Sequence, residues 1–244
     1  MKRILLTLSY DGTDYHGWQI QPNGITVQEV MCNSLKLLLG VDTAVTGCSR
    51  TDAGVHANEF CCHIDCADNI PPNAFLKGLN SILPNDIVIK ACKEVESDFH
   101  ARYSAKGKEY VYRTFNEKDA NPFYLRYALP LRRELQFEKV NHFCKSIVGK
   151  HDFAPFSASA RTVEDTVRTV YDCKLVKEGD FSNFYISADG FLYNMVRIIV
   201  GTAIDVSEGR LSENCAEEIF SLNKRDLAGK TACAKGLFLN KVFY

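Results

Sequence analysis

Charge of one sign is what this sequence most plainly lacks. The formal net charge is -1 over 244 residues. The molecule as a whole therefore has no strong attraction for a polyanion, and a nucleic-acid site would have to come from local clustering. Long apolar runs are missing too. The N-terminal stretch MKRILLTLSYDG begins with basic residues, but its apolar run is short and Asp11 closes it. That suits a first strand better than a signal peptide or a membrane span, and a cytoplasmic location is expected. The ten cysteines include no CxxC pair, and in a cytosolic chain they stay reduced. GxGxxG, HExxH and GxSxG do not occur. AGKTACAKG contains Gly229-Lys230-Thr231, but a phosphate-binding loop needs glycine at position 224, where Lys224 stands. Hydride transfer, nucleotide hydrolysis and zinc proteolysis lose support, and neither a metal nor a nucleotide cofactor is expected.

What is present is a globular composition, with 46% hydrophobic and 24% charged residues, which argues against disorder. ILLTLSYDG predicts a strand ending at a turn. From Val27, apolar Val30, Met31, Leu35 and Leu38 have the spacing of a one-faced helix that Gly40 stops. Val41 to Thr46 is short and β-prone, and Glu59 to Cys66 is a second apolar run. Pro71-Pro72 opens a helix that ends near Pro84, and Ile87 to Val95 alternates as a strand. After Ala105 the pattern restarts with KEYVYRTF, a strand. Helices are expected at Phe137–Val148, Phe191–Val206 and Ser212–Leu222. A hairpin of Val163–Val176 and Phe181–Ala188 is expected around Glu178-Gly179-Asp180, and GLFLNKVFY ends the chain as a strand. Each half carries strands and helices, so the expected fold is α+β. It comprises two similar lobes, residues 1–105 and 106–244, with mixed, mainly antiparallel sheets flanked by helices around a central cleft.

Reactive groups concentrate in Cys48–Ala57, CSRTDAGVHA. Asp52 follows a short strand and precedes Gly54 by two residues. A glycine that tolerates positive φ lets the chain turn sharply and present the carboxylate. An ionised aspartate there suits a nucleophile, a base or a charge stabiliser, or simply a residue capping its own turn. FLYNMVRIIVGTAIDV is apolar on almost every face, yet Arg197 sits within it. A buried guanidinium is costly unless a carboxylate meets it. Asn194, Arg197, Gly201 and Asp205 form one narrow polar or small stripe, so an Arg197–Asp205 bridge is one structural possibility. Tyr110 and Tyr112 share a face of the KEYVYR strand, as base stacking or a core would require. Between Lys90 and Arg133 ten basic residues face six acids, either a mixed solvated surface or a phosphate-tracking face. In CCHIDC, strand alternation sends Cys61 and His63 one way and Cys62, Ile64 and Cys66 the other, which disfavours one converging metal site.

Six segments, in order, resemble the TruA family of tRNA pseudouridine synthases. They are YDGTDYHGWQIQP (Tyr10–Pro22), SRTDAGVHA, KGKEYVYR, HDFAPF (His151–Phe156), FLYNMVRIIVG (Phe191–Gly201) and AGKTACAKGLFL (Ala228–Leu239). The resemblance implies a cofactor-free isomerase that detaches a uracil from its ribose, rotates it and rejoins it through C5. It implies Asp52 as nucleophile and Arg197 as its charge partner. Tyr110 would contact the target base and be a candidate acceptor of the C5 proton, and Arg50, with Asn194, would bind substrate. It further implies a homodimer acting on tRNA, with uridines 38–40 of the anticodon stem-loop as targets. Cys48 and Ser49 before Arg50, and Cys233 where the family often has proline, depart from its pattern without removing a reactive group. The competing readings are a non-catalytic tRNA-binding or chaperone protein of the same fold, and a metal-dependent nucleic-acid enzyme using Cys61–Cys66 with His56.

Overall fold

The computed structural model of the protein describes residues 1–158 and 164–244. Two compact units emerge from the packing of the chain: Met1–Lys106 with Phe238–Tyr244, and Gly107–Leu237.

The first unit is built on β1 (Lys2–Tyr10), β3 (His56–Cys66), β4 (Ile87–Val95) and the last strand, β10 (Leu237–Phe243), in the order β4-β1-β3-β10. β1 runs antiparallel to both β3 and β4, whereas β10 meets β3 in parallel, Phe238 opposite His56. The C-terminal strand thus lies in the sheet of the first hundred residues. β2 is only Thr46–Gly47, on β3. The β-prone Val41–Val45 forms no strand, since propensity without a partner strand is not enough. Helix α1 (Val27–Leu39) starts where Thr26 Oγ1 accepts the Glu29 N–H at 3.3 Å and stops at Gly40, whose φ of 74° is left-handed. Val27, Met31 and Leu35 form its buried stripe. Helix α2 (Pro72–Ile82) has proline at its first turn, buries Phe75 and Leu79, and packs on β4 and α1.

The second unit orders its strands β5-β9-β8-β7: β5 (Gly107–Asn116), β9 (Phe181–Ala188), β8 (Val167–Glu178) and β7 (Gly149–Asp152), all antiparallel. β6 (Leu129–Leu131) adds to β5 in parallel. The β8–β9 hairpin turns at Gly179, φ 58°. The expected start of β8 at Val163 lies outside the described residues. Helix α3 (Phe137–Ile147) packs on β8, on α4 (Met195–Ser207) and on α5 (Cys215–Leu222). Helix α4 begins four residues later than the apolar pattern predicts. Asn194 holds φ 62°, a left-handed conformation that cannot continue a right-handed helix. The α+β class with mixed, mainly antiparallel sheets therefore holds.

Candidate active site

The loop that carries Asp52 is assembled backbone against backbone in the first unit. A turn closes through Val55 N–H to the Asp52 carbonyl (3.1 Å), with Gly54 at φ 76°. Before the turn, Cys48 N–H bonds the Cys61 carbonyl at 2.8 Å, anchoring the loop to β3. The segment Asp11–Trp18 then clasps it. Trp18 N–H donates to the Thr51 carbonyl (3.1 Å), Gly54 N–H to the Tyr15 carbonyl (3.2 Å), and Gly12 N–H to His56 Nδ1 (3.0 Å). Two glycines permit this approach. A Cβ on Gly12 would overlap the Val55 carbonyl oxygen, and one on Gly17, at φ 82°, would overlap that of Thr51. The side chains reinforce the clasp. Tyr10 and Thr51 share a hydroxyl–hydroxyl bond of 2.8 Å, and Tyr15 donates its phenol proton to Asp86 Oδ1 at 2.7 Å. Burial first, and the Asp86 bond second, push the Tyr15 phenol well above its ordinary range, so it stays a donor.

Within this frame Thr51 and Val55 are buried, Asp52 is half-buried and Arg50 is exposed. The carboxylate therefore sits on a rigid turn with access to solvent, and a cation lies two residues before it. The buried His56 ring stacks on Phe238 of β10 (centroids 4.5 Å apart), and Asp11 Oδ1 lies 3.1 Å from His56 Nδ1.

Tyr110, Asn194 and Arg197 lie in the second unit. Tyr110 on β5 is 6% exposed, its ring edge-on to Phe191 at 4.9 Å. Tyr112, at 0% exposure, donates its hydroxyl proton to the Cys233 carbonyl at 2.9 Å. Burial, then Cys233, holds that phenol far above its usual pKa. The shared face of these two tyrosines is thus an interior face. Arg197 is half-buried rather than deep. Its Nε donates to the Ala232 carbonyl at 2.8 Å, and Nη1 donates to Asn194 Oδ1 at 2.7 Å. The Ala232 N–H returns a bond to the Arg197 carbonyl at 3.0 Å. Asp205 instead pairs with Arg210, Nε to Oδ1 at 2.8 Å, so no Arg197–Asp205 bridge is the anchor of the stripe.

The stripe itself has a use that its sequence did not disclose: it is where the segment Ala228–Ala232 docks. Gly201 lies so close to the Lys230 carbonyl that a Cβ would overlap it. The Gly229 N–H donates to Thr202 Oγ1 at 2.9 Å, which in turn bonds the Ile198 carbonyl at 2.8 Å. Gly229-Lys230-Thr231 is therefore a strap across α4. The only cue in the sequence was Gly201 inside an otherwise apolar helix, which signals close backbone approach.

Among the described residues no group of three or more His, Cys, Asp and Glu is placed to hold a metal ion. Cys61, Cys62 and Cys66 are buried on β3, and desolvation raises all three thiols. They behave as small core hydrophobes.

A family profile described as tRNA pseudouridine synthase matches residues 7–104 and 143–244. The chain belongs to the tRNA pseudouridine synthase family. Three curated relatives are aligned over the whole of this chain and the whole of their own length. "tRNA pseudouridine synthase A" of Ruminiclostridium cellulolyticum is 46% identical, that of Clostridium kluyveri 44%, and "tRNA pseudouridine synthase A 2" of Clostridium perfringens 41%. A crystal structure of the archaeal box H/ACA sRNP Nop10-Cbf5 complex has a TM-score of 0.37 at 12% identity, covering 81% of this chain and 41% of that one, too slight a likeness to build on. Pseudouridine synthases are isomerases, so family membership settles the reaction class and leaves open which residues perform it.

Proposed function

We propose that this chain isomerises uridine to pseudouridine in the anticodon stem-loop of tRNA, at positions 38–40, as a cytoplasmic homodimer. Asp52 is the nucleophile and Arg197 supplies the compensating cation. Tyr110 contacts the target base, Arg50 and Asn194 bind the RNA, and Asn194 also accepts a bond from Arg197. The observation that carries this reading is the full-length likeness to proteins named tRNA pseudouridine synthase A. The clasped, half-buried turn under Asp52 supports the choice of carboxylate, because a nucleophile must be held in place before its substrate arrives.

In this reaction the N1–C1′ bond breaks, the uracil turns, a C5–C1′ bond forms, C5 loses its proton and N1 gains one. Atoms and charge balance within the nucleotide. Uracil departs through N1 as a delocalised anion, so one carboxylate suffices where a glycosidase uses two. A target inside a stem must first leave the stack, at a cost of a few kcal/mol, and contacts to the RNA offset that cost. Every side chain named above lies within the described residues. The Asn194–Arg197 bond supports positioning of the guanidinium.

The test is tritium release from tRNA labelled at C5 of uridine. Wild type releases tritium, and Asp52→Ala loses at least about 10³-fold in rate while still binding tRNA. Binding without release by the wild type would point to a non-catalytic tRNA-binding protein. Equal release by both proteins would remove Asp52 from the chemistry.

A further inference from the structure

One built feature of the first unit has no part in the proposed catalysis. Between β4 and Lys106 runs the loop Phe99–Ser104, FHARYS. Its underside is anchored. Ala101 is fully buried, its N–H donates to His63 Nδ1 at 3.1 Å, and its carbonyl accepts from the Tyr244 hydroxyl at 2.8 Å. Arg3 Nη1 donates to the Phe99 carbonyl at 2.8 Å, while the same guanidinium is engaged by Asp65. The upper side is cross-braced. His100 Nδ1 accepts the N–H groups of Arg102 (3.1 Å) and Tyr103 (3.3 Å), the His100 N–H bonds Ser104 Oγ at 2.9 Å, and the Ser104 N–H returns to the His100 carbonyl at 2.9 Å.

This bracing holds up a ring that contributes little to the core. Tyr103 is 76% exposed. Its ring lies 4.3 Å from the His100 imidazole centroid at 32°, and the Arg102 guanidinium carbon is 5.8 Å from the ring centroid. A free surface tyrosine would lose rotamer entropy on gripping a ligand. Here the backbone and one ring face are already ordered. A rigid, solvent-facing aromatic with a guanidinium beside it meets the requirements for stacking an unpaired base. Tyr112, which shares a face of β5 with Tyr110, is fully buried and offers no such open face.

We propose that Tyr103 is a stacking platform for an unpaired base of the RNA substrate, with Arg102 beside it to meet the adjoining phosphate. This rests on the tRNA reading above and adds a contact to it. The loop and its flanks carry Glu96 and Asp98 against Arg102 and Lys106, so they bring no cationic surplus. The Tyr103 contribution is a ring-on-ring contact, and unlike phosphate contacts it survives added salt.

The experiment uses the full chain and an unmodified tRNA transcript. Affinity is measured by filter binding at low and high salt, turnover by tritium release, and oligomeric state by sedimentation. Tyr103→Ala is expected to bind about tenfold more weakly, by a similar factor at both salt concentrations, and to raise KM more than it lowers kcat. Tyr103→Phe, which keeps the ring, restores affinity. Unchanged thermal midpoints for both variants show that the fold is intact. Wild-type affinity in Tyr103→Ala overturns the proposal, as does a shift in oligomeric state, which would make Tyr103 a contact between copies of the chain. If wild type binds tRNA but releases no tritium, the isomerase reading fails while the affinity comparison still decides the role of Tyr103.

Discussion

The backbone N–H of Gly12 donates to Nδ1 of the buried His56 at 3.0 Å. Gly12 follows the end of β1 and His56 begins β3, so this bond ties the first loop of the chain to the strand that follows Asp52. Together with Trp18 N–H to Thr51 and Gly54 N–H to Tyr15, it gives the turn under Asp52 three attachments to one neighbouring segment.

Gly12→Ala tests that clasp. The added methyl collides with the Val55 carbonyl, which is backbone and has little freedom to move. Overpacking of this kind costs about 1–3 kcal/mol, and a displaced catalytic group can lose about 10²-fold in rate. Urea denaturation and tritium release should therefore both fall. An unchanged rate in a stably folded Gly12→Ala would show that the clasp does not position Asp52.

Gly201→Ala tests the strap across α4. Its methyl would overlap the Lys230 carbonyl, and the expected loss is about 2 kcal/mol or more. Lys36→Ala is the comparison. It breaks only the exposed pair with Asp42 at 2.9 Å, worth about 0.5 kcal/mol or less. Equal denaturation midpoints for the two variants would contradict the close packing of the strap.

Arg197→Lys should loosen the same strap without unfolding the protein. Lysine cannot reproduce the fork that bonds both the Ala232 carbonyl and Asn194. The Ala232 N–H, bonded to the Arg197 carbonyl, should then exchange with deuterium at least about tenfold faster, equivalent to about 1.4 kcal/mol of lost protection. Unaltered exchange would mean that the guanidinium does not hold the strap.

Stability should rise with pH between about 4 and 6.5 because of His63. Burial first, then Arg3 and His100, lower its pKa from 6.5 to about 4. In that window the unfolded chain binds a proton that the folded chain refuses, so folding is favoured as pH increases. The contribution is fully present above the unfolded value and is lost as pH falls to the folded one. His63→Asn, which keeps an acceptor for the Ala101 N–H, should flatten this slope in denaturant titrations run across the window. An identical slope would place the pH dependence elsewhere.

Elements with strong periodicity were legible in the sequence. Ile87–Val95 and Phe181–Ala188 are strands with the predicted limits, and α1 begins at Val27 and ends at Gly40 as its pattern indicates. β7, GKHD, was not legible. It is polar, and it is a strand because β8 pairs with it rather than because of its composition. The late start of α4 was hidden for a different reason. The apolar spacing continues through Phe191–Asn194, while the left-handed Asn194 breaks the helix. Asp52, Arg50, Tyr110, Asn194 and Arg197 were all nominated by motif. The clasp of Gly12, Tyr15 and Trp18 on the Asp52 loop, the strap on Gly201 and the anchoring of the Tyr103 loop to His63 and Tyr244 were not, because each joins segments tens of residues apart.

By itself the sequence determined the α+β class and the family, and it nominated the loop that carries Asp52. Each of these rests on local patterning or on motif order, which a linear reading preserves. The tertiary structure decided which polar groups meet, and which tyrosines are interior and which, Tyr103 among them, face solvent. The physical reason is that burial and hydrogen bonding depend on distances through space. Two glycines far apart in the chain look alike until a carbonyl is found against one of them.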